Sequence, residues 1–360
     1  MKVLHILAEI KYSGAEIMLS TAESLFKKAG VETHALAMGK NEGEYAPVLR
    51  QKGFHVAHIP FRKNFSFFTQ LRRYIRANKF DIIHIHNEQA FLWVALTCWT
   101  PFKKNIIRTV HSNFSFSGYL YLRRLIHHWV AQHILKVKFL SIAKSVYENE
   151  LKVYKTKTVL INNWIDTGRF TAANTDCLNK QSVSNTIISV GSCIPLKNHT
   201  AILKLIKILK DRGHIFHYLH LGTGELEQCE TETAKKLGIN EQVTFCGNRN
   251  DVETYLAKAS YFMMPSDYEG LSISCVEAMS SGRVVFVNDT YGLKALVTHN
   301  KTGFVVNFSN LDAVADTFIS VHKNQSLKSK VSENAKKYVA AKYGLKNVSK
   351  LIEFYDQAVS

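Results

Sequence analysis

Apolar positions along the chain alternate between short unbroken runs and stretches with helical spacing. Residues 2–8, KVLHILA, form an unbroken run that predicts a strand buried on both faces. The loop EIKYSGAE follows, then a helix to about Ala29 with Met18, Ala22 and Leu25 on one face. Gly30 caps that helix and VETHALAM opens the next strand. Strand, loop, helix and strand make a βαβ unit, which argues for a parallel sheet. DIIHIHN at 81–87 predicts another strand, with His84 and His86 on the same face, and NIIRTVHSN at 105–113 predicts a strand ending at His111. Two histidines two residues apart suit a metal, but no third ligand is evident nearby, and polar side chains near a strand end account for them. KFLSIAKSVYENEL and TVLINNWID occupy residues 138–151 and 158–166. Residues 171–185, TAANTDCLNKQSVSN, lack an apolar pattern and are expected to be a linker.

The pattern then restarts. TIISV leads into a loop from Gly191, and a helix follows with Ile202, Leu205, Ile206 and Leu209 at helical spacing. HYLHLGTGELEQ at 217–228 predicts a strand followed by Gly222 and Gly224. His217 and His220 would point to opposite faces of that strand, so His214, His217 and His220 make no metal site. From about residue 311 the chain reads as helices.

The stretch with most chemistry is 261–282, YFMMPSDYEGLSISCVEAMSSG. YFMM predicts the end of a buried strand, and Pro265, Ser266 and Asp267 break it. Glu269 and Gly270 follow in the loop. From about Ser272 the pattern turns helical, with Ile273, Val276 and Met279 on one face and Gly282 at the end. The amides of Leu271 and Ser272 would stand at a helix N-terminus, a natural seat for a phosphate. Glu269 would sit at its mouth and Glu277 inside the helix, so two carboxylates flank one anion seat. A nucleotide-sugar has the matching layout of sugar, diphosphate and ribose, and carboxylates accept hydrogen bonds from sugar and ribose hydroxyls.

Composition narrows the class. At 360 residues, 46% hydrophobic and 21% charged, the chain suits a globular protein of two domains. MKVLHILAEI is interrupted by Glu9 and does not read as a signal peptide, and the longest uncharged stretch, AFLWVALTCWTPF, is too short to span a bilayer. A cytoplasmic chain is expected. Six cysteines without a CxxC pair point to reduced thiols and to neither a disulfide framework nor a zinc ribbon. The net charge of +17 is uneven: residues 1–170 carry 25 Lys and Arg against 11 Asp and Glu, and residues 45–147 contain only Asp81 and Glu88 as acids. That half is expected to face something negative. FFTQLRRYIRANK at 67–79, with Phe68, Leu71 and Ile75 sharing a face, and YLYLRRLIHHWVAQHILKVK are the segments that mix apolar and basic residues.

Glu269, Gly270, then six residues, Glu277-Ala278-Met279 and Ser280-Ser281-Gly282 resemble the signature of retaining glycosyltransferases of family 4. The resemblance runs from Lys2 to about Val306. It implies the GT-B fold, an α/β architecture of two doubly wound Rossmann-like domains facing across a cleft. The domains would be 1–170, on the acceptor side, and 186–345, binding the nucleotide-sugar, with 346–360 as a helix crossing back to the first. By the same resemblance Glu269 contacts the donor sugar and Glu277 the ribose hydroxyls. Lys197 and the amides of Gly270, Leu271 and Ser272 hold the diphosphate. Gly191 and Gly14 belong to glycine loops, the backbone near Arg249 lines the nucleobase pocket, and His111 lines the donor-sugar side. The sequence departs from the family pattern at Ser192, where an arginine is usual, at Ser13-Gly14-Ala15-Glu16, where one glycine is lost, and at Trp164, which replaces a glycine.

The implied reaction moves a sugar from a nucleotide-sugar, UDP-linked, to a lipid-linked glycan acceptor in polysaccharide or lipopolysaccharide synthesis, with retention and without a cofactor. No Asp-x-Asp occurs in the chain, so no metal bridge to the diphosphate is expected. The basic half would dock peripherally on the anionic inner face of the membrane. A UDP-sugar 2-epimerase of the same fold and a catalytically silent membrane-binding relative are the alternatives. No nucleic-acid module is recognised.

Overall fold

The computed structural model describes residues 1–99, 105–178 and 185–360. The chain divides into two compact units, Met1–Trp164 with Leu345–Ser360, and Ile165–Gly344. Each holds one parallel sheet.

The first sheet contains β1 (Lys2–Leu7), β2 (Glu32–Ala37), β3 (His55–His58), β4 (Ile82–Ile85), β5 (Asn105–Val110), β6 (Lys138–Ser141) and β7 (Val159–Leu160), in the order β3-β2-β1-β4-β5-β6-β7. The second contains β8 (Thr186–Val190), β9 (His217–Leu221), β10 (Val243–Phe245), β11 (Tyr261–Met264), β12 (Val284–Asn288) and β13 (Phe304–Val306), in the order β10-β9-β8-β11-β12-β13. Both are doubly wound: the order reverses beside the first strand of each unit, which is the topology that binds ligands at the carboxyl ends of the strands. The unbroken apolar runs are the central strands, whose residues are buried on both faces: Ile82, Ile83 and Ile85 in β4, and Tyr261, Phe262, Met263 and Met264 in β11.

The helix Lys346–Val359 belongs to the first unit. Its Tyr355 stacks near Phe26 and its hydroxyl lies 2.6 Å from His84 Nδ1. Trp164, in the place of a glycine, is a core residue of the same unit, and its indole donates to the Met18 carbonyl at 3.0 Å.

Three expectations are corrected. Residues 171–178 are not a linker but part of the helix Thr167–Leu178, which packs against the helices Val252–Ala257 and Ile273–Ser280; residues 179–184 lie outside the described ones. Asp166 starts that helix, its Oδ1 accepting from the amide of Gly168 at 3.0 Å. The amphipathic segment at 67–79 forms the helix Phe65–Asn78, but its buried stripe is Phe67, Leu71 and Ile75, and that stripe packs inward. Its apolar face is therefore not offered to a membrane. Nor is the basic half uniformly exposed. Arg108 and Arg124 are 1% and 4% exposed, and both are held by Glu88, one of the two acids of that region. Lys103 and Lys104 lie outside the described residues.

Arg124 also pairs with Glu150 at 2.8 Å, and His128 lies 3.3 Å from the same carboxylate. This buried charge network reverses the helix Gly118–Trp129. Its inner face carries Arg124 and His128, whereas Tyr119 (73% exposed), Leu122, Ile126 and Trp129 (58%) face outward. Among the described residues no helix is long and apolar enough to cross a membrane.

Candidate functional site

The second unit brings together most of the residues singled out in the sequence. β11 ends at Met264, and the loop 265–272 leads into the helix Ile273–Ser280. Ser272 is the N-cap, its hydroxyl accepting from the Cys275 amide at 3.2 Å. Val276 N bonds to the Ser272 carbonyl at 3.1 Å. The amides of Ile273 and Ser274 thus stand ahead of the helical ladder, with those of Leu271 and Ser272 before them.

Two loops meet there. Gly191 follows β8, and Pro195–Lys197 form a single 3₁₀ turn before the helix His199–Asp211. Asp267 N donates to the Leu196 carbonyl at 3.0 Å, and Lys197 Nζ lies 2.5 Å from Glu269 Oε1. The cation and the loop carboxylate are therefore tied to each other at the start of the helix. Asn288, at the end of β12, holds the loop from below, its amide lying 3.4 Å from the Pro265 carbonyl and 3.3 Å from that of Ser266. Gly292, in the first turn of the helix Tyr291–Leu296, lets that helix pack against it: a Cβ at this position would lie 2.0 Å from the Glu269 carbonyl oxygen.

Glycines explain a second close approach. Gly222, with φ of 141°, would place a Cβ 2.0 Å from the Gly191 carbonyl oxygen, and a Cβ on Gly224 would lie 2.5 Å from that of Cys193. The Gly-x-Gly after β9 is there so that its backbone can lie against the Gly191 loop. The antiparallel bridge between Gly222 and Gly247 adds the loop after β10. Arg249 stands in that loop, exposed, its Nε donating to the Cys246 carbonyl at 3.0 Å and its guanidinium 5.3 Å from the Tyr255 ring centre. Ser192, in the place of the usual arginine, is exposed at the same loop start.

Glu277 is not a solvated helix position. It is 8% exposed, and burial raises its pKa to about 7, opposed by the positive charge of Arg169 and reinforced by the negative charge of Glu253. Arg169 pairs with Glu253 at 2.6 Å. Sequence reasoning missed Arg169, Asn288 and Gly292, because nothing in their local spacing marks them.

His111 and Gly14 lie in the first unit. Gly14 opens the helix Gly14–Lys28, where the Ser13 hydroxyl donates to Glu16, and burial raises the Glu16 pKa to about 7. His111 follows β5, and its Nε2 is 2.9 Å from His86 Nδ1; His86 Nε2 in turn is 3.1 Å from His5 Nδ1. Burial, then the Arg108 charge, lowers the His111 pKa to about 3, so the imidazole is neutral at physiological pH. His5 is the third histidine that the pair at 84 and 86 lacked in the sequence. Yet both nitrogens of His84 are engaged, by Tyr355 and by Thr109 at 2.6 Å each, which leaves this cluster as a hydrogen-bonded chain.

The model of "Glycosyl transferases group 1" matches residues 173–338, and that of "Glycosyltransferase Family 4" matches residues 12–169. The chain is 24% identical to an uncharacterized glycosyltransferase of Haemophilus influenzae over 344 residues, covering 93% of this chain and 94% of the relative. It is 22% identical to a UDP-Gal:alpha-D-GlcNAc-diphosphoundecaprenol alpha-1,3-galactosyltransferase of Escherichia coli, covering 83% and 81%. Among solved structures, Anabaena HepE in complex with UDP and glucose superposes with a TM-score of 0.81 at 17% identity, covering 98% of each chain. The chain belongs to glycosyltransferase family 4 and is built on the GT-B fold of two parallel-sheet Rossmann-like domains.

Proposed function

We propose that the protein transfers a sugar from a UDP-sugar to a lipid-linked glycan acceptor with retention at the anomeric carbon. The observation that carries this reading is the joined pair Lys197 and Glu269 at the start of a helix that buries Glu277. In this assignment the helix amides and Lys197 neutralise the departing diphosphate, a preorganised anion seat that needs no rearrangement as charge develops. Glu277 accepts from the ribose hydroxyls, and Glu269 from the donor sugar. The backbone around Arg249 meets the base. No metal bridge is invoked at the diphosphate. The UDP-Gal donor of the Escherichia coli relative and the UDP bound by Anabaena HepE support a uridine nucleotide. The diphosphoundecaprenol acceptor of that relative supports a polyprenyl-linked glycan and a place in polysaccharide synthesis.

Such an acceptor presents its reactive end at a bilayer. The reversed helix Gly118–Trp129 suits contact with one, because its charges are turned inward and its apolar side chains outward. Beside it Leu125, Ile126, Trp129 and Tyr154 line a pocket. We assign the face to an anionic lipid surface, because the surrounding half of the chain carries a large excess of Lys and Arg. The direct test is incubation with a panel of nucleotide-sugars, with and without a polyprenyl-diphosphate-linked sugar, reading free nucleotide. Nucleotide release that requires the lipid-linked acceptor supports the reading. Conversion of a UDP-sugar into its C2 epimer without any acceptor, read by separating the two UDP-sugars, would replace it with the epimerase.

A further inference from the structure

Four side chains from four separate segments meet inside the second unit. Cys193 comes from the loop after β8, His199 from the first position of the helix His199–Asp211, His220 from β9, and Glu230 from the helix Glu227–Lys236. One potential ligand atom of each lies within 4.8 Å of all the others. Cys193 Sγ is 3.1 Å from His220 Nε2, and His199 Nδ1 is 3.2 Å from Glu230 Oε1. Cys193 and His220 are fully buried, Glu230 is 1% exposed and His199 4%.

As a purely organic cluster this arrangement is costly. A carboxylate has been taken out of water, the Cys193 thiol and the His199 ring are the groups that reach it, and its Oε2 has no nitrogen or oxygen partner. Among the described residues, His199 is the basic group within ion-pair distance of Glu230, and no Lys or Arg joins it. Burying a charge without a full set of partners costs several kcal/mol, and four apolar side chains would fill the space more cheaply.

A divalent cation removes the difficulty. Thiolate and carboxylate together balance its charge, and two neutral imidazoles complete a set of one sulfur, two nitrogens and one oxygen. That is the donor number and mixture of a closed tetrahedral zinc site. With Zn–ligand distances of about 2.0–2.3 Å, neighbouring donors stand about 3.3–3.8 Å apart; here two donor pairs are 3.1 and 3.2 Å apart and all four donors lie within 4.8 Å of one another, so small shifts suffice to seat an ion. The histidines are also oriented as zinc ligands are. His220 presents Nε2 to the cluster while its Nδ1 lies 2.8 Å from the Ser189 hydroxyl, itself 2.6 Å from the Tyr218 hydroxyl. His199 presents Nδ1, and its Nε2 faces the Gly191 loop.

We propose that Cys193, His199, His220 and Glu230 bind one zinc ion that pins the segment from Gly191 to His199 to the sheet and to the helix Glu227–Lys236. The site is distinct from the diphosphate seat. Its consequence for that seat is mechanical, since Lys197 stands between the two ligands of the pinned segment.

The experiment reads metal and does not depend on glycosyl transfer. Protein purified without chelator is expected to carry about one zinc per chain by elemental analysis. Metal-free protein should take up cobalt(II) with tetrahedral d–d bands and a thiolate charge-transfer band, and added zinc should raise its Tm. Cys193→Ser and Glu230→Gln, both near-isosteric, are expected to weaken zinc binding by at least ~10-fold, and Cys193→Ser to abolish the charge-transfer band; Cys229→Ser and Cys246→Ser should leave both unchanged. The proposal is overturned if wild-type protein incubated with zinc retains none and gains no stability. It is equally overturned if Cys193→Ser and Glu230→Gln bind zinc as the parent does, or if the charge-transfer band is lost with Cys229 or Cys246 instead. Should the two test variants fail to fold, the wild-type zinc content and cobalt spectrum decide alone.

Discussion

Lys197 Nζ and Glu269 Oε1 are 2.5 Å apart, although 72 residues separate them in the chain. The pair closes the loop after β8 onto the loop after β11, and the hydrogen bond from Asp267 N to the Leu196 carbonyl runs beside it. In the free protein each charge satisfies the other. A bound diphosphate would compete for the ammonium and release Glu269 toward the sugar. Lys197→Met removes a charge-assisted contact of about 1.5–3 kcal/mol, which predicts ~10–100-fold weaker UDP binding. Glu269→Gln should instead spare UDP affinity and lower turnover. Isothermal titration with UDP and steady-state rates separate the two. Equal UDP affinity in Lys197→Met and the parent would remove Lys197 from the diphosphate seat.

Glu277 sets a pH dependence with a definite sign. Its pKa is raised from the ordinary 4.5 to about 7, chiefly by burial. The folded state therefore binds more protons than the unfolded state between those values, and stability falls as pH rises through that window. Above about pH 7 the cost is fully present, on the order of 3 kcal/mol. Glu277→Gln should thus raise the Tm of the nucleotide-free protein at about pH 8 and leave it nearly unchanged below about pH 4.5. If Glu277 accepts from the ribose hydroxyls, as proposed, they donate to its ionised form, and UDP affinity of the parent should drop as pH falls below about 7. Calorimetry of parent and variant across that range tests both statements. A parent with flat affinity would exclude the ribose contact.

Arg124 holds Glu88 and Glu150 and lies 4.4 Å from the Phe114 ring centre and 4.5 Å from that of Tyr154. Arg124→Met leaves two carboxylates with buried negative charge and one partner fewer. The expected loss is about 3–5 kcal/mol by denaturant unfolding. A loss below about 1 kcal/mol would mean that the carboxylates find water on relaxing.

Membrane docking is predicted to rest on Leu122, Ile126 and Trp129, all exposed on the helix Gly118–Trp129. Replacing Leu122 and Trp129 by Glu adds two negative charges to that outward side and removes two apolar side chains, each worth about 1.5–3 kcal/mol when buried. Flotation with anionic vesicles should fall at least ~10-fold, whereas Phe68→Glu on the helix Phe65–Asn78 should change it little. High salt should weaken parent binding. Flotation indifferent to lipid charge, or to the Leu122 and Trp129 changes, would dismiss this face.

Contiguous spacing made much of the protein legible in the sequence. The unbroken runs at 2–8 and 261–264 are central strands because a parallel strand buried on both faces has no polar side to alternate with. The turn from YFMM through Pro265 to a helix ending before Gly282 was readable because breaker, cap and helical period all fall within 22 residues. Gly282 indeed stands at a φ of 71°. What the sequence did not reveal depends on which elements lie side by side. The helix Gly118–Trp129 mixes cations and aromatics in a way that fits either face outward. The outcome was decided by Glu88 and Glu150, 36 and 26 residues from Arg124, which draw its charged face inward. Phe67 replaced Phe68 in the buried stripe of its helix for a similar reason, since both lie within the angular range that periodicity allows and only packing selects one. The meeting of Cys193 with His220 follows from the parallel register of β8 and β9, in which Ser189 faces His220. Local periodicity is written into neighbouring residues, but convergence of distant polar groups is fixed only when the strand order brings their backbones together.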